Sequence, residues 1–284
     1  MSSAYSLQRL RNGQYAVFAA AYGETMHPGA GPQAEAEGVH VGQLKLRERQ
    51  RAQAGELVVW DVGLGAAANA VAVLRATAGG TGPLRLISFD RTLSPLRFAL
   101  QHTAALGYLE RYVEQAQALA RHRFVEFSES DRFVRWEVRL GDFPSLLAQA
   151  TAANLAQPQA ILFDPFSPAR NPAMWTLPLF ERLFRQLDPH QPCELTTYSR
   201  STLIRVALLV AGFFVGRGRA SVAKEETTVA ATRLALLDDP LTRAWLRRVR
   251  RSSSAEPLFR DVYQAAPLTP ATWERLAAHP QFAE

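Results

Sequence analysis

The sequence predicts an α/β protein: a doubly wound, mostly parallel sheet with an antiparallel edge strand, preceded by an N-terminal β-hairpin. Three observations carry that prediction. From Leu57 onward, short apolar runs alternate with turns and helix-forming segments, the pattern of parallel strands joined by crossover helices. One of these runs, LVVWDVG, is β-branched and too short for a helix, so it reads as a buried strand. Near the start, Asn12-Gly13 separates two short segments, and this dipeptide is favoured in tight hairpin turns.

The hairpin is expected to use YSLQRL and YAVFAAAY. The stretch YGETMHPGAGPQAEAEGVHV follows, broken by glycine and proline before Glu35 and Glu37 open a helix that runs towards Leu46. After LVVWDVG, the segment AAANAVAVLRATA is a strong helix former. Further strands are expected at LRLISFD, FVRWEVRLGD, AILFDPF and ELTTYS. The helix STLIRVALLVAG closes that series. FFVGRGRA and ETTVAATRL, joined by a loop containing Lys224, are expected to pair antiparallel at one sheet edge. A short basic helix, a serine-rich linker and a weak helix around Trp273 end the chain. The expected organisation is a hairpin-and-helix extension (1–50), the α/β domain (51–237) and a basic C-terminal extension (238–284).

A chain of 284 residues with 48% hydrophobic and 20% charged composition can bury one large core. No apolar run reaches the roughly 18 residues of a membrane span, and MSSAYSLQRLRNG lacks a secretory apolar core, so a cytoplasmic protein is expected. The single cysteine, Cys193, cannot form an internal disulfide and has no metal-binding or redox motif around it. It is expected as a small buried hydrophobe, and no metal is expected. A net charge of +6 and a pI near 9.9 suit a phosphate-rich partner, although an arginine-rich composition gives the same charge without one.

In VVWDVGLGAAAN, Gly63 and Gly65 permit a backbone geometry and a close approach that a Cβ would obstruct. The string from Gly63 to Ala68 satisfies G-x-G-x-x-G/A and, taken alone, fits a dinucleotide site, a methyl-donor site or a plain turn. Asp90, at the end of LRLISFD, can accept both hydroxyls of a ribose in either cofactor class. Asp61 favours S-adenosyl-L-methionine. A carboxylate there would repel a pyrophosphate but could hold the cationic amino-acid portion of the methyl donor, directly or through water. A turn-capping aspartate is the alternative. Asp142, in RLGDF, is placed either to accept from an adenine amino group or to cap the helix FPSLLAQA.

The segment ILFDPFSPARNPAMW follows an apolar strand, and Pro165, Pro168 and Pro172 fix its backbone where open α/β sheets bind ligands. Asp164 ends that buried strand and must find a partner. Such a carboxylate can orient the N–H groups of an amine or accept its proton. Phe166 and Trp175 could supply a flat wall for a base or a sulfonium, and Arg170 a phosphate or carboxylate clamp. A structural alternative makes the segment a rigid connection, with Asn171 capping the helix at Pro172 and Trp175 in the core.

Taken in order, YGETMHPGAGPQAEAE, DVGLGAAAN and DPFSPARNPAMW resemble the methyltransferase domain of the bacterial tRNA wobble-uridine enzymes of 5-methylaminomethyl-2-thiouridine biosynthesis. The resemblance runs roughly from Tyr22 to Leu234. Its most specific piece is Asp-x-Phe-x-Pro-Ala-Lys/Arg-Asn-Pro-x-Met-Trp, kept here from Asp164 through Trp175. Ala67 stands where those proteins often have a further glycine. The resemblance implies the class I methyltransferase fold, S-adenosyl-L-methionine as cofactor, tRNA as partner and methylation of the primary amine of 5-aminomethyluridine. It implies Asp164 as the acid at the substrate amine, Gly63 and Gly65 as the cofactor turn, and Asp90 as the ribose acid. It also implies a stand-alone form without the flavin-dependent oxidase domain, relying on another enzyme for its amine.

Beside these motifs, Glu24 is expected at the cofactor or substrate entrance and His27 in a loop hydrogen bond. The basic stretches RAWLRRVRR and LKLRERQR could grip tRNA phosphates or be solvated helix faces. A transferase for polyamines or other small amines, a noncatalytic RNA-binding protein and an NAD-dependent oxidoreductase remain alternatives.

Overall fold

The computed structural model describes residues 4–52, 55–151, 154–219 and 226–283, and Lys224 lies outside them. Strands β1 (Tyr5–Arg9), β2 (Tyr15–Ala19) and β3 (Glu24–Thr25) form a small antiparallel sheet in that order. The first connection is longer than a two-residue turn. Gly13 N donates to Leu10 O at 3.0 Å and Leu10 N to Gln14 O at 2.8 Å, so Asn12 and Gly13 are the last two residues of a four-residue turn. Asn12 Nδ2 also donates to Ala30 O at 3.0 Å, tying the turn to the following loop.

That loop does not lead into one helix. A short α1 (Pro32–Glu35) passes into a π-helical turn over Ala36–Val41, and α2 (Leu46–Ala52) starts after a break at Lys45, whose φ is 52°. The single helix expected from Glu35 towards Leu46 is corrected accordingly. The wide turn buries Val39, His40 and Val41 together, and such turns recur at functional sites.

Eight strands form the central sheet: β4 (Leu57–Val62), β5 (Leu84–Asp90), β6 (Phe124–Glu129), β7 (Arg132–Leu140), β8 (Ala160–Phe163), β9 (Glu194–Thr197), β10 (Phe214–Gly218) and β11 (Thr227–Ala231). Their spatial order is β10-β11-β9-β8-β4-β5-β7-β6. Strands β4, β5, β7, β8 and β9 are parallel, and β11 lies antiparallel between β9 and β10. The expected antiparallel pairing of the last two strands is present. Strand β6 was not expected. Its sequence FVEFSE alternates exposed and half-buried residues, and it is held as a hairpin against β7 by the turn at Ser130-Asp131.

Two apolar layers flank the sheet, which is why β4 reads as an unbroken apolar run. Val58, Trp60 and Val62 face a layer built from α7 (Phe143–Gln149), α8 (Leu177–Gln186) and α9 (Thr202–Ala211). Leu57 and Val59 face the other, built from α3 (Ala68–Thr77), α4 (Ser94–Gln101), α5 (Thr103–Leu106) and α6 (Val113–His122). Cys193 is buried in the first layer, as its apolar surroundings predict.

The chain's ends join these same layers. Val17, Leu44 and Leu46 pack with α3, while Trp245 of α10 (Arg243–Val249) and Leu276 of α11 (Pro270–Ala277) pack with α8 and α9. Between α10 and α11, a loop is pinned at its base where the amides of Ala255 and Glu256 both donate to Ala266 O at 2.9 Å. Leu177 N, at the start of α8, donates to Leu258 O at 2.7 Å. Among the described residues, no helix is long and apolar enough to cross a membrane.

Candidate active site

A cavity of about 650 Å³ opens at the carboxyl ends of β4, β5, β7 and β8, where a doubly wound sheet binds ligands. The turns after these strands form its floor, and the segment from Tyr22 to Gly29 forms one wall. Five carboxylates line it (Glu24, Glu35, Asp90, Asp142 and Asp164) against one guanidinium, Arg91. That balance suits a cationic ligand and opposes a pyrophosphate.

The glycine turn is shaped by a neighbouring strand. Gly63 has φ +101°, and a Cβ there would lie 2.8 Å from the backbone oxygen of Asp164. The glycine therefore lets the turns after β4 and β8 close together at the cavity floor. Gly65 N then donates to Asp90 Oδ2 at 2.8 Å, while Asp90 Oδ1 accepts from Thr92 N at 3.2 Å. Burial raises the pKa of Asp90 against the pull of these amides. Ala67, at the position where glycine was the more familiar residue, has φ 65° and caps α3 in the left-handed region.

Asp142 does two things at once. Its Oδ2 accepts from Ser145 N at 3.3 Å and from Ser145 Oγ at 2.9 Å as the N-cap of α7, and the residue also lines the cavity. Asp61 sits elsewhere, fully buried behind the turn and not among the lining residues. Its Oδ2 accepts from Ser88 Oγ at 2.8 Å, and its Oδ1 has no hydrogen-bond partner among the described residues. Burial pushes its pKa up to about 7, with the Ser88 hydrogen bond pulling down and the charges of Asp164 and Asp90 pushing further up.

Asp164 ends β8 at the centre of a polar cluster. Asn69 Nδ2, from the first turn of α3, donates to its Oδ2 at 2.7 Å. The Nε2 atoms of His27 and His40 lie 3.8 and 3.9 Å from the same oxygen. His40 Nδ1 in turn lies 2.8 Å from Thr196 Oγ1 on β9. Burial pushes the Asp164 carboxyl up, but His40, His27 and Asn69 outweigh it and hold the pKa below the ordinary carboxylate value. The carboxylate is thus kept ionised in an enclosed place.

The rest of the Asp-Pro-Phe segment divides between cavity and core. Phe166 lines the cavity and stacks on Tyr22, with centroids 4.0 Å apart and planes 17° from parallel. Trp175 is fully buried behind it, with Nε1 donating to Phe166 O at 2.9 Å, and does not reach the cavity. Asn171 occupies the N-cap position of the turn Pro172–Trp175, but its side chain makes no capping bond and lines the cavity instead. Arg170 is exposed outside the cavity, its guanidinium close to Gly23. Glu24 accepts from Ser167 N at 3.0 Å and from Ser167 Oγ, so the N-terminal sheet is fastened to this segment.

Three cavity-lining groups lie outside the sequence reading (His40, Asn171 in this orientation, and Tyr198, whose hydroxyl donates to Pro165 O at 3.1 Å), as does Asn69, which reaches Asp164 from α3 without lining the cavity. Asn69 left one sequence signal, as the polar residue in the first turn of a largely apolar helix. In the stretch LKLRERQR, Arg47 pairs with Glu37 at 2.6 Å, and Arg49 pairs with Glu194 and donates to Gln159 O at 3.0 Å. Those two cations are engaged within the protein.

Residues 106–233 match the family model described as S-adenosyl-L-methionine-dependent methyltransferase. That segment is a little under half of the chain. The MNMC2 protein of Aquifex aeolicus is similar in structure, with a TM-score of 0.71 at 22% identity, covering 97% of this chain and 85% of that one. In sequence, the chain is 29% identical over 181 residues to the tRNA 5-methylaminomethyl-2-thiouridine biosynthesis bifunctional protein MnmC of Aeromonas hydrophila. It is 29% identical over 214 residues to the MnmC protein of Methylibium petroleiphilum. These alignments cover 60% and 74% of this chain but 26% and 32% of those proteins. The chain thus spans about a quarter to a third of the length of the curated relatives it matches. Its sheet, with β11 inserted antiparallel beside β9, is that of the class I methyltransferases.

Proposed function

We propose that the protein is an S-adenosyl-L-methionine-dependent N-methyltransferase that methylates the aminomethyl group of a wobble uridine in tRNA, acting in the cytoplasm. The observation that carries this reading is Asp164: an acid held ionised at the floor of a cavity whose charged lining is mostly carboxylate. A protonated amine and a sulfonium are both cations, and such a site attracts both. When bound, the donor supplies an electrophilic methyl group to an uncharged amine and departs as a thioether.

The chain's own residues would divide the remaining tasks. Gly63 and Gly65 line the cavity at the turn where the donor would lie, and Asp90 and Asp142 offer acceptors for ribose hydroxyls and for an adenine amino group. Asp164 would fix the amine by its N–H groups, and Phe166 backed by Tyr22 would give the base a flat surface.

A polynucleotide substrate is supported by the relatives' names and by an exposed loop. Phe259, Val262 and Tyr263 are 52%, 64% and 45% exposed. Leu258 fastens that loop to the start of α8, and a crossover helix starts at the same sheet edge as the cavity. The basic stretch Arg247, Arg248, Arg250 and Arg251 precedes it in the chain. Exposed rings stack on unstacked bases and arginines pair with phosphates, contacts that a free polyamine does not need.

Transfer of isotope-labelled methyl from the donor tests the reading, with tRNA carrying 5-aminomethyl-2-thiouridine and free spermidine offered side by side. Label in the modified nucleoside is expected. Label in spermidine and none in tRNA would replace this reading with the small-amine one.

A further inference from the structure

Of the two imidazoles beside Asp164, one is engaged and the other is not. His40 is buried, and its Nδ1 is paired with Thr196. The His27 ring lines the cavity and makes no hydrogen bond among the described residues, so the loop hydrogen bond expected of it is absent. Its backbone adopts φ 55°, a conformation that side-chain-bearing residues seldom take outside sites where the surroundings impose it. The ring lies beside the acid, with Nε2 3.8 Å from Asp164 Oδ2.

Three other polar groups lining the cavity are already committed. Glu24 accepts from Ser167, Glu35 accepts from the amides of Gly29 and Ala30, and Tyr198 donates to Pro165 O. Asp164 accepts from Asn69 and is held ionised, which makes it a good partner for an ammonium group and a poor acceptor of its proton. A primary alkylamine arrives mostly protonated at neutral pH and must lose that proton before its lone pair can attack.

We propose that His27 takes the proton from the ammonium form of the substrate amine while Asp164 holds that amine in place. The proposal rests on the amine-methylating reading above. One N–H bond of the ammonium breaks, its electron pair stays on nitrogen, and the proton forms an N–H bond on the ring. The neutral nitrogen then forms its bond to the donor's methyl carbon as the methyl–sulfur bond breaks and its electron pair stays on sulfur, so a thioether leaves and the positive charge brought by the sulfonium ends on the secondary ammonium product. The imidazolium, 3.8 Å from Asp164 Oδ2, is stabilised by that charge until it returns its proton to water.

The test is single-turnover methyl transfer to the aminomethyl tRNA by His27→Gln and His27→Ala across pH, with donor affinity and thermal midpoint measured alongside. At neutral pH the rate falls by about 100-fold with little change in donor affinity, and the deficit shrinks as pH rises and solvent deprotonates the amine. A rate within about threefold of wild type with an unchanged pH profile overturns the role of His27 alone. Wild-type protein that transfers no methyl to the tRNA overturns the amine-methylating reading as well.

Discussion

Asn69 Nδ2 donates to Asp164 Oδ2 over 2.7 Å, so the first turn of the helix behind the glycine turn fixes the acid that ends a neighbouring strand. The helix after the glycine turn and the end of β8 are therefore tied directly together. Asp164→Asn is expected to lower turnover at least 100-fold while donor affinity changes little, because the neutral amide cannot hold an ammonium group. Asn69→Ala removes one hydrogen bond to a charged group, a loss of about 1.5–3 kcal/mol, and should lower turnover roughly 10- to 100-fold. Steady-state kinetics beside donor titrations checks both. Unchanged turnover in Asp164→Asn would remove the assignment of Asp164.

Gly63→Ala tests the junction from the other side. The new Cβ would lie 2.8 Å from the Asp164 backbone oxygen on a backbone with φ +101°. The left-handed conformation alone costs about 1–2 kcal/mol, and the clash adds to it. A thermal midpoint several degrees lower and weakened donor binding are expected together. Wild-type values for both would mean that the two turns do not meet as described.

Asp61 should leave its mark on stability rather than on rate. Its pKa is about 7 in the folded protein against an ordinary value of 3.8. Between those values the folded state keeps a proton that the unfolded state has lost, so stability is full below the lower value and falls as pH rises through the upper one. The difference amounts to a loss on the order of 4 kcal/mol. Asp61→Asn, neutral at every pH, should abolish that slope. Denaturant unfolding of both proteins from mildly acidic to mildly alkaline pH measures it, and parallel curves would refute the ionisation behaviour given to Asp61.

The exposed loop gives a separable prediction. Replacing Phe259 and Tyr263 together by alanine removes two stacking surfaces worth about 1–3 kcal/mol per base. Affinity for tRNA, followed by fluorescence anisotropy, should drop tenfold or more, with donor affinity unaltered because neither residue lines the cavity. Equal tRNA affinity would exclude this loop from the RNA surface.

The central parallel strands were legible because burial on both faces writes itself as LVVWDVG and LRLISFD, and the antiparallel pairing of β10 and β11 followed from the same local pattern. Strand β6 escaped because its exposed positions are the mixed set Phe124, Glu126 and Ser128, which leaves only Val125 and Phe127 as an alternating apolar pair. The cluster around Asp164 was half legible. Its acid follows from a charge at the end of a buried strand, but His40 arrives through a π-helical turn and Asn69 from another crossover unit. Neither position is set by local spacing. Phe166 and Trp175, read as a shared wall, are separated by the turn at Pro172–Trp175, which carries the indole into the core.

The most direct test of the cavity's assignment is calorimetric titration of the protein with S-adenosyl-L-methionine, its demethylated product and NAD. The carboxylate-rich wall requires micromolar binding of the first two and none of the dinucleotide. Binding of NAD without the methyl donor would contradict the account.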